Sequence, residues 1–280
     1  MRSLVASERR PDRILVVHND TPERSPGALA RALPAGVEVI DAGCNLGFSG
    51  GCNLGLRAAL DGGADLLLLA NSDVIAPPAA LGTLESALLA HPTAGIAGPA
   101  LITTGQPARI ESLGIVFSAR TGRMRLRRAG ASPDAAPPVR ETVDAVAGAF
   151  MLLRRAVLER IGLFDEDYFY GFEDLDLCLR ARRAGFTVLC AGDARVEHVG
   201  AASIGVRSPR RVYYATRNHL LVAQRAAPLP AALGALRAGC ILGYNLAHSL
   251  TRSPAPLGGA LRAFLRGGWD HLHGRYGEGG

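Results

Sequence analysis

Two apolar runs that stop abruptly on small polar clusters constrain this chain more than any other feature. Residues 13–17, R-I-L-V-V, end on His18-Asn19-Asp20-Thr21, and residues 65–70, D-L-L-L-L-A, end on Asn71-Ser72-Asp73. Each run is short and strongly apolar, so each reads as a buried strand passing into a loop. Strand signals recur at 37–41 and 95–102. Between them lie helix candidates at 26–33 and 77–90, the second with Pro77 and Pro78 at its first turn, where proline is tolerated. A glycine-rich turn at 45–55 feeds another helix to about Leu60. This alternation predicts an α/β fold with a mostly parallel sheet and helices on both faces. Ligands of such sheets sit beyond the carboxyl ends of the strands, where the Asn19 and Asp73 clusters both fall.

The pattern changes over residues 105–138. Arg120, Arg123, Arg125, Arg127 and Arg128 precede an S-P-D-A-A-P-P stretch, which reads as a hairpin or loop followed by a linker. Order resumes with an apolar segment at 142–153, a helix at 154–161, an acidic helix start at 173–184 and a strand at 187–191. Beyond Arg217 the chain is rich in Ala and Leu and reads as helical. We divide it into a domain at 1–224 and a helical extension at 225–280.

Composition adds bounds. The 280 residues are 48% hydrophobic but only 5% aromatic, so the core must be aliphatic. All basic residues are arginine, and the net charge of +6 favours anionic partners without choosing among nucleotides, lipids and nucleic acid. The arginine run at 120–128 lacks interleaved aromatics, so a solvated hairpin or a lipid-phosphate contact is expected, and no nucleic acid. The five cysteines are widely spaced without a C-x-x-C pair, as in a reducing compartment. Residues 1–12 are polar, with no secretory leader pattern. The apolar stretch at 229–250 is broken by Arg237, Asn245 and His248, a poor spanning helix but compatible with one lying on a membrane surface. A cytoplasmic protein, peripheral on the inner face of the cell membrane, is the expectation.

Four constellations carry chemistry. In N-L-G-F-S-G-G-C-N-L-G, residues 45–55, four glycines in nine positions let the backbone approach a phosphate at a helix start, or simply pack a helix on a sheet. Asp73, at a strand's carboxyl end, can hold a divalent cation on a diphosphate; taken alone, the cluster fits better a turn or helix cap before Pro77 and Pro78. In G-L-F-D-E-D-Y-F-Y-G-F-E-D-L-D-L, residues 162–177, Glu173, Asp174 and Asp176 open a helix whose dipole favours their charge. The neighbouring Tyr168, Phe169, Tyr170 and Phe172 would exclude water and raise a carboxylate's basicity, as a general base requires. His198 can complete a metal site with Asp73, and Arg217, beside Asn218, can reach a diphosphate.

Taken in order, these pieces resemble family 2 glycosyltransferases of the GT-A fold, and within them the bacterial rhamnosyltransferase-like branch. The resemblance rests on residues 16–21, 45–55, 68–73 and 162–177, His198 and Arg217-Asn218. It implies transfer of a sugar, rhamnose in that branch, from a nucleoside-diphosphate donor to a hydroxyl of a polysaccharide or lipid-linked acceptor, with inversion. Asp174 would be the general base with Glu173 beside it. Asp73 and His198 would hold Mg²⁺ or Mn²⁺. Asn19, Asn45, Gly47, Gly50, Gly51, Asn53 and Asn71 would line the donor side, and Asp176 and Arg217 would support the site. Two departures from the family pattern stand out. About a dozen residues precede Arg13 where the family has a further strand and helix, and His18 stands where an Asp contacts the base. They motivate a second reading, a non-catalytic binding or scaffold protein that keeps the fold.

Overall fold

The computed structural model describes residues 1–20, 26–135, 140–200, 208–251 and 256–279. The chain runs through α1 (Arg2–Val5), β1 (Ile14–His18), α2 (Pro26–Ala32), β2 (Val37–Asp41) and α3 (Gly47–Asp61). It continues with β3 (Leu66–Ala70), β4 (Val74–Ile75), α4 (Ala80–Ala90) and β5 (Ala94–Thr103). Short strands β6 (Ile110–Ser112), β7 (Ile115–Phe117), β8 (Met124–Leu126) and β9 (Arg140–Thr142) fill the excursion that follows. Then come β10 (Phe150–Arg154), α5 (Arg155–Ile161), α6 (Glu173–Arg183) and β11 (Thr187–His198). The helices α7 (Pro209–Ala226), α8 (Ala231–Thr251) and α9 (Leu257–Leu272) close the chain.

The main sheet has the order β3-β10-β5-β11-β4, with β6 and β9 paired at its margins. The parallel component expected from the alternation is present, since β3, β5 and β11 share a direction. The sheet as a whole is mixed, because β10 runs against both β3 and β5. The cause is the excursion after β5. It keeps the chain at the carboxyl edge, so β10 starts beside the end of β3, Phe150 opposite Ala70, and can only run back. The arginine-rich segment folds as the β7–β8 hairpin; most of the proline-rich linker lies outside the described residues. β1 and β2 form a separate parallel pair in which His18 faces Asp41.

Side chains of β10 alternate between two cores, as a strand covered on both faces requires. Phe150 and Leu152 pack with Leu84 and Leu88 of α4. Met151 and Leu153 pack with Leu56, Val157, Leu175 and Cys178, from α3, α5 and α6. The acidic helix α6 is thereby fixed against the sheet through its apolar side, leaving its first turn at the carboxyl edge. α7 buries an unusually polar run, Thr216, Arg217, Asn218 and His219. No described helix is long and apolar enough to cross a membrane.

Candidate active site

The two acidic clusters, a hundred residues apart in sequence, meet at the start of β10. The backbone N–H of Asn71 donates to the carbonyl of Ala149 at 2.9 Å. The preceding residue, Gly148, donates its N–H to Asp174 Oδ2, also at 2.9 Å. One dipeptide thus ties the β3 loop to the first turn of α6. A Cβ on Gly148 would stand 3.3 Å from the Phe48 ring and 3.4 Å from Cβ of Asp174, so close contact is built in here. Tyr170 registers the same convergence electrostatically. Burial pushes its phenol up and Arg211 pulls it down, while Glu173, Asp73 and Asp174 each push it up.

Burial raises the carboxyl of Asp174, opposed by the N–H groups of Gly148 and Leu175 that favour its charged form. Glu173 is more extreme. It is 6% exposed, its Oε2 has no hydrogen-bond partner, and burial followed by the charge of Asp174 holds its pKa well above the usual carboxylate range. Burial makes both carboxylates more basic than usual, the direction a proton acceptor needs, while the helix start favours the anion.

On the other side, the antiparallel pairing of β11 with β4 sets His198 opposite Val74 and next to Asp73. His198 Nε2 lies 3.5 Å from Asp73 Oδ1, and its Nδ1 lies 2.8 Å from Glu111 Oε2. The hydrogen bond and charge of Glu111, with Asp73 adding to them, raise the imidazole pKa against the effect of burial. A carboxylate on Nδ1 leaves Nε2 as the ligating atom of the neutral ring, aimed toward Asp73. Glu111 was not singled out from the sequence. It sits on β6, whose pairing with β5 brings it to the sheet edge, and nothing local announces that.

The glycine-rich segment is a helix from Gly47 onward, not a turn feeding one. Its start is held by Asn19, which accepts from Leu46 N–H at 2.8 Å and donates to the Gly47 carbonyl at 2.7 Å. Asn45 Oδ1 accepts from Gly47 N–H. Gly47 has φ 72°, and a Cβ there would lie 2.5 Å from the Phe169 carbonyl oxygen. At Gly51 a Cβ would meet Asn19 Nδ2 at 2.7 Å. Gly50 is buried in the same turn. Asn53 points inward: it donates to the Phe164 carbonyl and to Glu166, and accepts from Phe164 N–H, all at 2.9 Å. His18 Nδ1 lies 3.1 Å from Asp41 Oδ1.

Asp176 and Arg217 stand beneath the cleft. Asp176 binds Tyr168 Oη and Arg180, and Arg180 in turn donates to the carbonyls of Ile161 and Leu163. Arg217 is fully buried and donates to the carbonyls of Asp167 and Gly277, so it offers no surface to a diphosphate in this structure. Its neighbour Asn218 reaches three more carbonyls of the same loop, those of Tyr168, Tyr170 and Gly171, within 3.0 Å. The loop they grip carries two bulky residues at positive φ, Phe169 at 29° and Phe172 at 74°.

Known proteins bear on this arrangement. A family model described as "Glycosyltransferase like family 2" matches residues 1–219. N-acetylglucosaminyl-diphospho-decaprenol L-rhamnosyltransferase of Mycobacterium tuberculosis (strain ATCC 25618 / H37Rv) is 28% identical over 227 residues, 73% of this chain and 72% of the relative. Among solved structures, the mannosyltransferase PcManGT of Pyrobaculum calidifontis, in complex with GDP-Man and Mn²⁺, superposes with TM-score 0.54 at 15% identity. That match covers 97% of this chain and 81% of PcManGT. GalNAc-T7 with UDP, GalNAc and Mn²⁺ gives TM-score 0.54 at 14% identity; 87% of this chain spans about half, 52%, of that one. These likenesses give the fold, GT-A with a mixed central sheet and a helical C-terminal region. With the family model matching most of its length, the chain belongs to the family 2 glycosyltransferases.

Proposed function

We propose that this glycosyltransferase works by a single inverting displacement. The acceptor hydroxyl attacks the anomeric carbon, the bond to the nucleoside diphosphate breaks, and Asp174 takes the hydroxyl proton. The observation that carries this reading is the double tie at Gly148-Ala149, which fastens Asp174 and the Asn71–Asp73 loop to two consecutive residues. Glu173 would keep a second, proton-retaining carboxyl beside the base, and its buried Oε2 without a partner is a cost that a mere scaffold has no reason to carry.

The donor set suits Mn²⁺ or Mg²⁺. Asp73 offers a carboxylate oxygen, and His198 an imidazole nitrogen oriented by Glu111, a mixed pair that fits a borderline cation. Among the described residues no three metal-ligating side chains form a cage, so diphosphate oxygens would complete the shell. When bound, the cation would neutralise charge on the departing diphosphate. Asn19, Asn45, Gly47, Gly50 and Gly51 shape the helix start on the donor side, with Asn71 beside the cation; Asn53, Asp176 and Arg217 act from behind, by fixing backbone. Likeness to the mycobacterial rhamnosyltransferase supports a rhamnosyl donor and a lipid-linked acceptor; we assign the transfer to a catalytic domain of residues 1–224 with a helical extension, working at the inner face of the cell membrane.

Release of nucleoside diphosphate from a panel of nucleotide sugars in Mn²⁺, with and without lipid-linked acceptor, tests the proposal. Asp174→Asn should lower kcat by about 10²–10⁴-fold and leave donor affinity nearly unchanged. An equally active Asp174→Asn protein, or a folded wild type inert toward every donor, overturns it; inertness would favour the scaffold reading.

A further inference from the structure

The outward faces of α8 and α9 are unlike those of ordinary surface helices. Along α9, Leu257, Leu261, Leu265, Trp269 and Leu272 are each between 44% and 79% exposed. Their spacing of four, four, four and three residues puts them on one stripe. The opposite side of α9 is buried, with Ala260, Phe264, Gly267 and Asp270 turned inward. The exposed positions of α8, among them Leu233, Leu236, Tyr244 and Leu250, carry no Asp, Glu or Arg. A soluble face of this length would be laced with charges of both signs.

Charge is present, and basic residues dominate it. Residues 227–280 contain two acids: Asp270, which is 5% exposed, accepts a hydrogen bond from Tyr213 Oη and lies 3.7 Å from Arg266, and Glu278, exposed in the tail 3.6 Å from Arg210. Arg262 and Arg266 each follow a stripe leucine by one position and are exposed. With Arg210 and one acid, Glu278, they line a cleft of about 270 Å³ between α7, α9 and the C-terminal tail. Arg275 is exposed just beyond the end of α9. We propose that this surface docks the protein on an anionic phospholipid bilayer. The leucine–tryptophan stripe enters the acyl boundary, and Arg262 and Arg266 meet lipid phosphates at headgroup level. The complementarity is to an anionic surface. A symmetric contact with a second copy would set the stripe arginines against each other, and the segment's one exposed acid, Glu278, already lies 3.6 Å from Arg210. A tryptophan within a leucine stripe also suits the polar–apolar boundary of a membrane.

Trp269 is the chain's only tryptophan, so its emission reports this surface alone. The full chain is mixed with phosphatidylcholine vesicles, with or without about one-third phosphatidylglycerol, and followed by flotation and fluorescence. With anionic vesicles the protein should float, its emission should shift to the blue, and brominated acyl chains should quench it. Binding should weaken by about tenfold or more in high salt or on pure phosphatidylcholine. Leu261→Ser/Leu265→Ser, at exposed positions, should retain the wild-type melting temperature and lose about tenfold or more in partitioning. No blue shift and no flotation of the wild type with anionic vesicles overturns the proposal. So does concentration-dependent dimerisation that the same double substitution abolishes without any vesicle binding. If that variant fails to fold, quenching in the wild type decides alone. Sugar transfer enters none of these readouts, so failure here and failure of the catalytic reading are separable.

Discussion

Replacing Asn53 with alanine separates a ligand-binding role from a structural one. Within the glycine-rich segment Asn53 looks like a donor contact, yet its amide is used entirely inside the protein. It satisfies both the N–H and the C=O of Phe164 and also donates to Glu166. Asn53 is 1% exposed and Phe164 4%, so water cannot replace the lost partners without opening the structure. Two orphaned backbone groups at about 1–3 kcal/mol each give a loss of about 2–6 kcal/mol. Glu166 adds little, because its side chain is 56% exposed and rehydrates. At about 2–4 °C per kcal/mol for a domain of this size, the melting temperature should fall by roughly 5–20 °C. Urea denaturation of Asn53→Ala measures the loss, and calorimetry with the nucleotide at low temperature measures affinity in the fraction still folded. A variant within about 0.5 kcal/mol of wild type whose donor affinity collapses would refute the reasoning and return Asn53 to the ligand.

Three further outcomes follow from the same geometry. Glu173 has a folded-state pKa well above its usual 4.5, so its stabilising proton is fully bound below that value and is lost as pH rises toward the folded one. Glu173→Gln should therefore match wild-type stability in mild acid and exceed it increasingly toward pH 8; parallel melting curves across that range would contradict the assignment. Glu111→Ala removes the carboxylate that orients His198 and should weaken Mn²⁺ binding by about 10–100-fold, read by manganese paramagnetic resonance. Asn218→Ala frees three loop carbonyls and should cost about 1–3 kcal/mol of stability, lower kcat more than it raises KM, and open residues 165–172 to protease.

The legible parts of this molecule were those whose chemistry is written locally. Strand ends showed as apolar runs halted by Asn19 and Asp73, and the acidic start of α6 showed as three carboxylates among leucines. The direction of β10 was not legible, because it depends on where the excursion at residues 105–142 releases the chain. With that direction hidden, so were the two residues that depend on it, Gly148 and, through the β6 margin, Glu111. Asn53 misled for a different reason. The helix starts at Gly47, which places Asn53 in its second turn facing α5's trailing loop, while a turn extending to Gly55 would have left it facing a ligand. Arg217 misled in the same way: an arginine beside an asparagine suggests an anion, but α7 buries that face.

That burial makes sense once the loop it grips is considered. Phe169 and Phe172 hold positive φ angles that cost L-residues about 1–3 kcal/mol each, and Glu173 holds a carboxyl oxygen away from any partner. Left to itself, such a segment would relax to conventional dihedrals and let the acids reach water, where their pKa values would fall to ordinary ones. Arg217 and Asn218 prevent this by binding carbonyls of Asp167, Tyr168, Tyr170 and Gly171 from a helix anchored fifty residues further along the chain. Stacking of Phe169 on Tyr214 at 5.7 Å and of Phe172 on His219 at 5.0 Å closes the same clamp from the side. Hydrogen bonds from fully buried donors and two ring contacts offset the strain of two residues, and the net result is a carboxylate pair held in place in a dry setting. The helix after β11 therefore belongs to the proposed active site although it presents no group to a substrate. Any variant that loosens α7 should behave as one that has lost its base.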